Sequence, residues 1–169
     1  MLMIKVIQVI MDRISVNNEY KETEEVKERA KIAVLIIVTK FAEGDVFEKD
    51  QCNLFLEKHL AEIQDGMLFK LKKFLMPALI SISKHLDYEV FVDKVYATFT
   101  AFRQDEIHGV RKVCIENMSN LIKHLQDDAD QKLDECFEFF KKSLYDSNRH
   151  VKNAALEQFG PIVHQIYLK

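Results

Sequence analysis

Glycine and proline are scarce, with 4 and 2 copies among 169 residues. An all-β sandwich or barrel of this length needs a turn about every ten residues, and this chain cannot supply them. A mostly helical chain is therefore expected. Tryptophan is absent. The three cysteines, Cys52, Cys114 and Cys136, are an odd, widely spaced set. That argues against a disulfide framework and suits a reducing compartment. Long apolar runs are missing as well. The longest, Ile32 to Val38, is seven residues, against roughly 20 for a membrane-spanning helix. The apolar opening, Met1 to Met11, has no basic region ahead of it and no small-residue cleavage site behind it, so no secretory signal is expected. The chain reads as cytoplasmic, with the nucleus a further location. Neither sign of charge dominates: 24 Lys and Arg face 27 Asp and Glu, for a net charge of −3. Such a balance gives no general attraction for nucleic acid or an anionic membrane. No nucleotide-binding glycine loop, nucleophile elbow or metal-binding helix motif occurs. No cofactor, metal or catalytic residue is expected, and the chain does not read as an enzyme.

What the chain does have is 48% apolar residues in a repeating pattern. From Val110, apolar side chains fall at Val113, Cys114, Ile115, Met118, Leu121, Ile122 and Leu125, the spacing of a helix with a wide buried face. A shift of 41 residues lands on Val151, Ala154, Ala155, Leu156, Phe159, Ile162, Val163 and Ile166. Shifting back 39 gives Leu71, Phe74, Leu75, Met76, Leu79, Ile82 and Leu86, broken only by Ser83, and shifting back 84 gives Val26, Ala30, Val34, Ile37, Val38 and Phe41, broken by Arg29 and Lys31. Each copy opens with an apolar residue and a base: Val26-Lys27, Leu71-Lys72, Val110-Arg111, Val151-Lys152. An aspartate stands six residues before two of these bases, Asp105 before Arg111 and Asp146 before Lys152, and Asp65 lies seven before Lys72. The same carboxylate can cap a helix and meet a base.

Shorter amphipathic stretches lie between these helices, at Leu2 to Ser15, Val46 to Ile63, Tyr88 to Arg103 and Ala129 to Leu144. In the last two, Val92, Val95, Tyr96 and Phe99 align with Leu133, Cys136, Phe137 and Phe140. A helical pair recurring near 41 residues has the length of a HEAT or armadillo unit. The expected fold is all-α: a single-domain α-solenoid of four HEAT-like hairpins, an armadillo-like superhelix, with approximate repeats 1–43, 44–86, 87–126 and 127–169, itself part of or shortened from a longer solenoid. An ordinary helix bundle is the alternative. Asp45 and Asp87 are expected as helix N-caps, and Asp128 with Gln131 as a capping box. Pro77 and Pro161 should kink their helices. Cys114 and Cys136 fall on apolar stripes and read as packing thiols, while His59, His85, His124 and His164 read as solvated or helix-end residues. The residues Leu2, Met3, Ile4, Val6, Ile7, Val9, Ile10 and Met11 surround the first helix with apolar side chains. A terminal repeat should carry a polar outer face, so further repeats, a second subunit or a partner should cover it.

The stretch Asp105-Glu106-Ile107-His108-Gly109-Val110-Arg111-Lys112-Val113-Cys114-Ile115-Glu116 is followed a repeat later by Asp146-Ser147-Asn148-Arg149-His150-Val151-Lys152-Asn153-Ala154-Ala155 and Phe159-Gly160-Pro161. Together they resemble the HEAT repeats of the protein phosphatase 4 regulatory subunit 1 family, related to the scaffold subunit of the type 2A phosphatases. The match runs from about Tyr88 to Ile166. His108 stands where that pattern has an aromatic residue, Val113 and Ile115 replace alanines, and Val151-Lys152 replaces a second Val-Arg. The resemblance implies a regulatory, non-catalytic scaffold that holds a serine/threonine phosphatase catalytic subunit and positions its substrates. It also implies that the turns within each hairpin carry the contacts: Gln64 and Asp65; Arg103, Gln104, Asp105, Glu106 and His108 with Arg111; and Asp146, Ser147, Asn148, Arg149 and His150 with Lys152. Among these, Asp105, Arg111, Asp146 and Lys152 can equally form a structural ladder between repeats, since exposed ion pairs contribute only about 0 to 1 kcal/mol. Arg103, Glu106, His108, Arg149 and His150 answer to no packing rule and are the stronger contact candidates. A HEAT or armadillo adaptor of the nuclear-transport kind is the competing binding function, although the Trp and Asn array that armadillo importins use is missing. A helical-bundle hydrolase is the competing enzymatic one.

Overall fold

A computed structural model describes residues 2–16, 24–64, 67–126 and 130–168. Among the described residues all regular structure is helical, so the fold class is all-α. The chain divides into two compact units, Met1–Leu86 and Asp87–Lys169. Their boundary falls between the second and third expected repeats.

The first unit opens with α1 (Leu2–Val16) and α2 (Glu24–Glu43). A second pair follows. Its first member runs from α3 (Lys49–Phe55) through a π-helical turn (Leu56–Leu60) into α4 (Ala61–Gln64). Its second is α5 (Phe69–Ile82), which tightens into a 3₁₀ turn (Ser83–His85). α2 packs along α5, and α1 packs on α2. The core joins the apolar stripes: Ile7 and Met11 of α1, Val34, Leu35 and Val38 of α2, and Leu71, Leu75 and Leu79 of α5 are all buried.

The second unit repeats the plan. α6 (Tyr88–Val90), a π turn (Phe91–Tyr96) and α7 (Ala97–Phe102) form one arm, and α8 (His108–Lys123) the other. Next come α9 (Asp130–Leu144), α10 (Arg149–Glu157) and α11 (Phe159–Tyr167). α8 is the central helix: α7, α9, α10 and α11 all pack against it. Accordingly Val110, Cys114, Ile115, Met118, Leu121 and Ile122 are buried. Phe99 meets Phe139 edge to face, with ring centroids 5.8 Å apart, so the two first arms of this unit touch through aromatic rings.

Several local expectations are corrected. Pro161 breaks its helix instead of kinking it. Having no N–H to offer the Glu157 carbonyl, it ends α10 at Glu157, and Gln158 (φ −88°, ψ 0°) joins the two helices. Pro77, by contrast, lies within a helix that stays α-helical from Phe69 to Ile82. Asp45 is not an N-cap. It closes α2 with φ of 54°, while its N–H bonds the Ala42 carbonyl at 3.2 Å and that of Val46 bonds the Phe41 carbonyl at 3.0 Å. This is a Schellman closure with Asp, one of the residues that tolerate a left-handed backbone, in the place usually held by glycine. Lys84 pairs with its carboxylate. The N-cap of α3 is Glu48, which forms a capping box with Gln51. Asp87 does occupy the N-cap position of α6, and Asp128 lies outside the described residues.

The two π turns carry no sequence signal of the kind used above. Each inserts a residue into a turn, and in the second this lets Phe91 and Tyr96, five residues apart, both be buried. Val92 and Leu133, aligned in the sequence, are both half-buried. His59 lies in the first π turn, buried with its ring 6.1 Å from Phe55, so it is not a solvated residue, whereas His124 is a helix-end residue as expected, at the C-cap of α8 with its ring 5.9 Å from that of Phe91. His85 is half-buried, and His164 is exposed as expected.

The three cysteines are free and buried. Burial pushes the thiol of Cys52 up to about 11 and that of Cys136 up to about 12, and that of Cys114 higher still. They are packing groups with almost no thiolate at neutral pH.

Equivalent positions are not equally buried. Leu71, Val110 and Val151 are covered, whereas Val26, which opens the first copy, is 45% exposed. Replacing Leu71 by Ala should therefore cost about 2 to 5 kcal/mol through the cavity left behind, while Val26→Ala should stay within about 0.5 kcal/mol. Urea denaturation of dilute protein followed by circular dichroism measures both.

Candidate protein-binding edge

The two turns that enter α8 and α10 lie on one edge of the second unit. Both are shaped by short polar side chains closing on nearby backbone, as Asx turns do. The Oδ1 of Asp105 accepts the Ile107 N–H at 2.8 Å, and that of Asp146 accepts the Asn148 N–H at 2.8 Å. Asn148 then caps α10 by accepting the His150 N–H at 2.9 Å. These turns thus present their outer side chains from a fixed backbone.

Arg111, in the first turn of α8, fastens the two turns together. Its Nε and Nη2 donate to the two carboxylate oxygens of Asp146 at 2.9 Å each. Its Nη1 donates to the carbonyls of Asp105 and Glu106, also at 2.9 Å. The planar fork of a guanidinium suits such a bidentate pair, which an ammonium could not reproduce. The hydrogen bonds from Arg111 hold the Asp146 carboxyl below the usual carboxylate range, against the opposing effect of burial. The reverse pull from Asp146 raises Arg111.

The partner of Arg111 therefore lies 35 residues downstream, in the next turn. The six-residue spacing from Asp105 marks the turn's own closure, in which Arg111 bonds the Asp105 carbonyl. For Arg111 and Asp146 the ladder reading holds. Arg103, ranked above as a contact candidate, is also committed to structure. Its Nη2 bonds the Glu135 carboxylate at 2.8 Å and its Nη1 the Glu135 carbonyl at 3.1 Å, and the Tyr96 hydroxyl donates to the same carboxylate at 3.0 Å. Burial raises that phenol, and the neighbouring Cys136 and Glu135 add to the effect. This triad fastens the arm containing α6 and α7 to α9.

Outward from this framework stand further side chains of the two turns. Gln104, Glu106, His108, Ser147, Arg149 and His150 are exposed, and Asn148 and Lys152 are half-buried. The rings of His108 and His150 stack across the two turns, centroids 6.4 Å apart and planes 24° from parallel. The acids Asp105 and Asp146 are engaged by the turns, so the exposed charge here is carried by Arg149 and Glu106, with two imidazoles beside them. Gln64 belongs to the other unit, at the end of α4 and half-buried, and Asp65 lies outside the described residues.

A hollow of about 690 Å³ that the sequence reading missed lies beside this edge, lined by Arg103, Gln104, Asp134, Glu135, Glu138 and Phe139 among others. Its signal was available: Gln131, Asp134, Glu138 and Lys142 follow helical spacing along the polar face of α9. Among the described residues no group of three or more His, Cys, Asp or Glu is placed to hold a metal ion, and no helix is long and apolar enough to cross a membrane.

The Asp146 carboxyl titrates lower in the folded chain than its unfolded value of about 3.9. Its contribution is thus complete above that pH and lost as pH falls through the folded value. Asp146→Asn should destabilise the protein by about 1 to 3 kcal/mol at pH 7. In urea titrations the gap between wild type and variant should narrow as pH falls below about 4, and Arg111→Lys should lose part of the same stability because the fork is gone.

No curated protein and no solved structure matches the chain. A family model described as the Vacuolar 14 Fab1-binding region matches residues 72–159, just over half of the chain. The matched stretch takes in α6 to α10, the Arg111–Asp146 staple and both turns of the edge. The resemblance to phosphatase regulatory repeats is thereby replaced, as a statement of family, by a broader one. The chain belongs to the Vacuolar 14 Fab1-binding region family, a family of HEAT-like helical-repeat scaffolds.

Proposed function

We propose that this chain is a non-catalytic scaffold that uses the turn edge of its second unit to hold a serine/threonine phosphatase catalytic subunit and position substrates beside it. The observation that carries this is the division of labour along the edge. The residues shared with the phosphatase-type signature, Arg111 and Asp146, fix two successive turns by a bidentate pair, while His108, Arg149 and His150 are left exposed on a rigid backbone. Preorganised side chains of this kind bind at a smaller entropic cost than mobile ones. Helical-repeat stacks serve protein recognition through such extended edges. Three free, buried cysteines suit the cytoplasm, where we place the chain.

The family match favours a second reading, in which the same edge engages a Fab1-type partner. The two differ in partner and share the surface.

Affinity capture with the whole chain as bait, followed by mass spectrometry, separates them. Recovery of a phosphatase catalytic subunit is expected, whereas recovery of Fab1 without it would transfer the assignment to the second reading. Failure to recover either would remove both. The double substitution His150→Ala with Arg149→Glu should weaken capture about tenfold or more and leave the melting temperature unchanged, since neither side chain is buried.

A further inference from the structure

We propose, on the reading of the turn edge given above, that the partner segment it seats is acidic, with carboxylates received by Arg149 and by the paired imidazoles of His108 and His150. The edge directs its own acids inward. Both carboxylate oxygens of Asp146 accept from Arg111, which leaves that side chain 12% exposed, and Asp105 turns an oxygen onto the Ile107 N–H. The exposed carboxylate that remains within the two turns belongs to Glu106.

The bases face outward instead. His108 and Arg149 open α8 and α10 at the same repeat position, 41 residues apart, and both are exposed. For His108 this holds although α10 packs on α8, so exposure at this position belongs to the stack itself and not to its last hairpin. His150 lies across from His108, with ring centroids 6.4 Å apart. Asp146, the acid that feels the charge of His108, is already paired with Arg111. Among the described residues none of these three bases forms an ion pair, whereas on the surface of the same unit Lys112 pairs with Glu116 and Lys141 with Glu138.

The first turn of a helix favours an acid, because the positive end of the helix dipole lies there. Neither α8 nor α10 has one in that turn. Bases stand in its place, His108 and Arg111 in α8 and Arg149, His150 and Lys152 in α10. Positive side chains so placed oppose the dipole in the free chain, and carboxylates brought by a partner relieve them. Apolar groups flank the charge: Ile107 is 38% exposed, and Tyr145, in the turn entering α10, is 87% exposed. Tyrosine and arginine are the residues that anchor protein contacts. A lipid surface fits less well, since anionic membranes are held by clusters of about four to eight Lys or Arg and this edge offers Arg149 and Lys152 beside its imidazoles.

Titration of the isotope-labelled chain with a short peptide of alternating Asp and Glu, and with its Asn and Gln counterpart, reads the occupant through amide shifts. Saturable shifts confined to residues 106–111 and 147–152 are expected, with the acidic peptide alone. Raising the salt from about 0.1 M to about 1 M, which cuts the screening length from about 10 Å to about 3 Å, should remove most of them. Arg149→Glu with His150→Ala, neither side chain being buried, should weaken peptide binding about tenfold or more. Absence of shifts, equal shifts from the amide peptide, shifts that map elsewhere, or an affinity unchanged in the double variant would overturn the proposal. So would co-sedimentation with phosphatidylserine vesicles in place of peptide binding, which would give the edge to a lipid surface. In the affinity capture described above, the acidic peptide in excess should compete with the partner. If the double variant weakens capture and the peptide does not, the edge serves a partner but its occupant is not acidic, and the scaffold reading stands without this one.

Discussion

A single hairpin of two amphipathic helices has more apolar surface than it can hide from water, and the architecture follows from that excess. α8 shows the constraint at its clearest. It carries buried residues at Val110, Cys114, Ile115, Met118, Leu121 and Ile122, a stripe too wide for one neighbour, and four helices pack around it. At about 25 cal/mol per Å² of apolar surface removed from water, covering such a stripe is the dominant favourable contribution within each unit. The repeat length follows: two helices and two turns suffice to lay one hairpin on the next.

Polar chemistry is subordinate to this packing but decides where partners can be met. Once hairpins stack, their turns come to lie side by side, and Arg111 uses that proximity to join the Asp105–Glu106 backbone to the Asp146 carboxylate. A charge pair that is mostly covered gives register and rigidity more securely than net stability, because desolvation offsets much of its attraction. Fixing the backbone this way is what allows His108, Arg149 and His150 to stand exposed without the turns collapsing on them. Glu135 plays the matching part on α9, satisfied by both Arg103 and Tyr96.

Helices, their order and most of the core were legible in the sequence because burial on one face writes itself as a period of 3.6 residues. The offsets of 39 and 41 place Leu71, Val110 and Val151 in the core. The offset of 84 that leads to Val26 fails, since a repeat pattern records what a position is built to contact, not whether the contact is made. The π turns escaped because an inserted residue changes hydrogen bonding without changing composition. Left-handed Asp45 escaped for a related reason: the neighbouring Gly44 carries the expected signal while the chain uses the Asp. At the edge, which residues belong to the turns was readable from Asp105 and Asp146. Their pairing was not, because Arg111 finds its partner 35 residues away through stacking and not six away through local spacing. Arg103 looked free for want of a packing rule, and only the placement of α9 revealed Glu135 beside it.

The failures at Val26 and at Leu156 have one cause. Within the second unit, apolar residues at the register of Leu156 and Phe159 are buried because a further hairpin lies on them, and residues at the register of Val26 are buried because they lie on a preceding one. Apolar character persists at both places although Val26, Leu156 and Phe159 are exposed. A repeat architecture thus writes the chemistry that joins one hairpin to the next at every equivalent position, and burial at each position follows from whether a neighbour lies there.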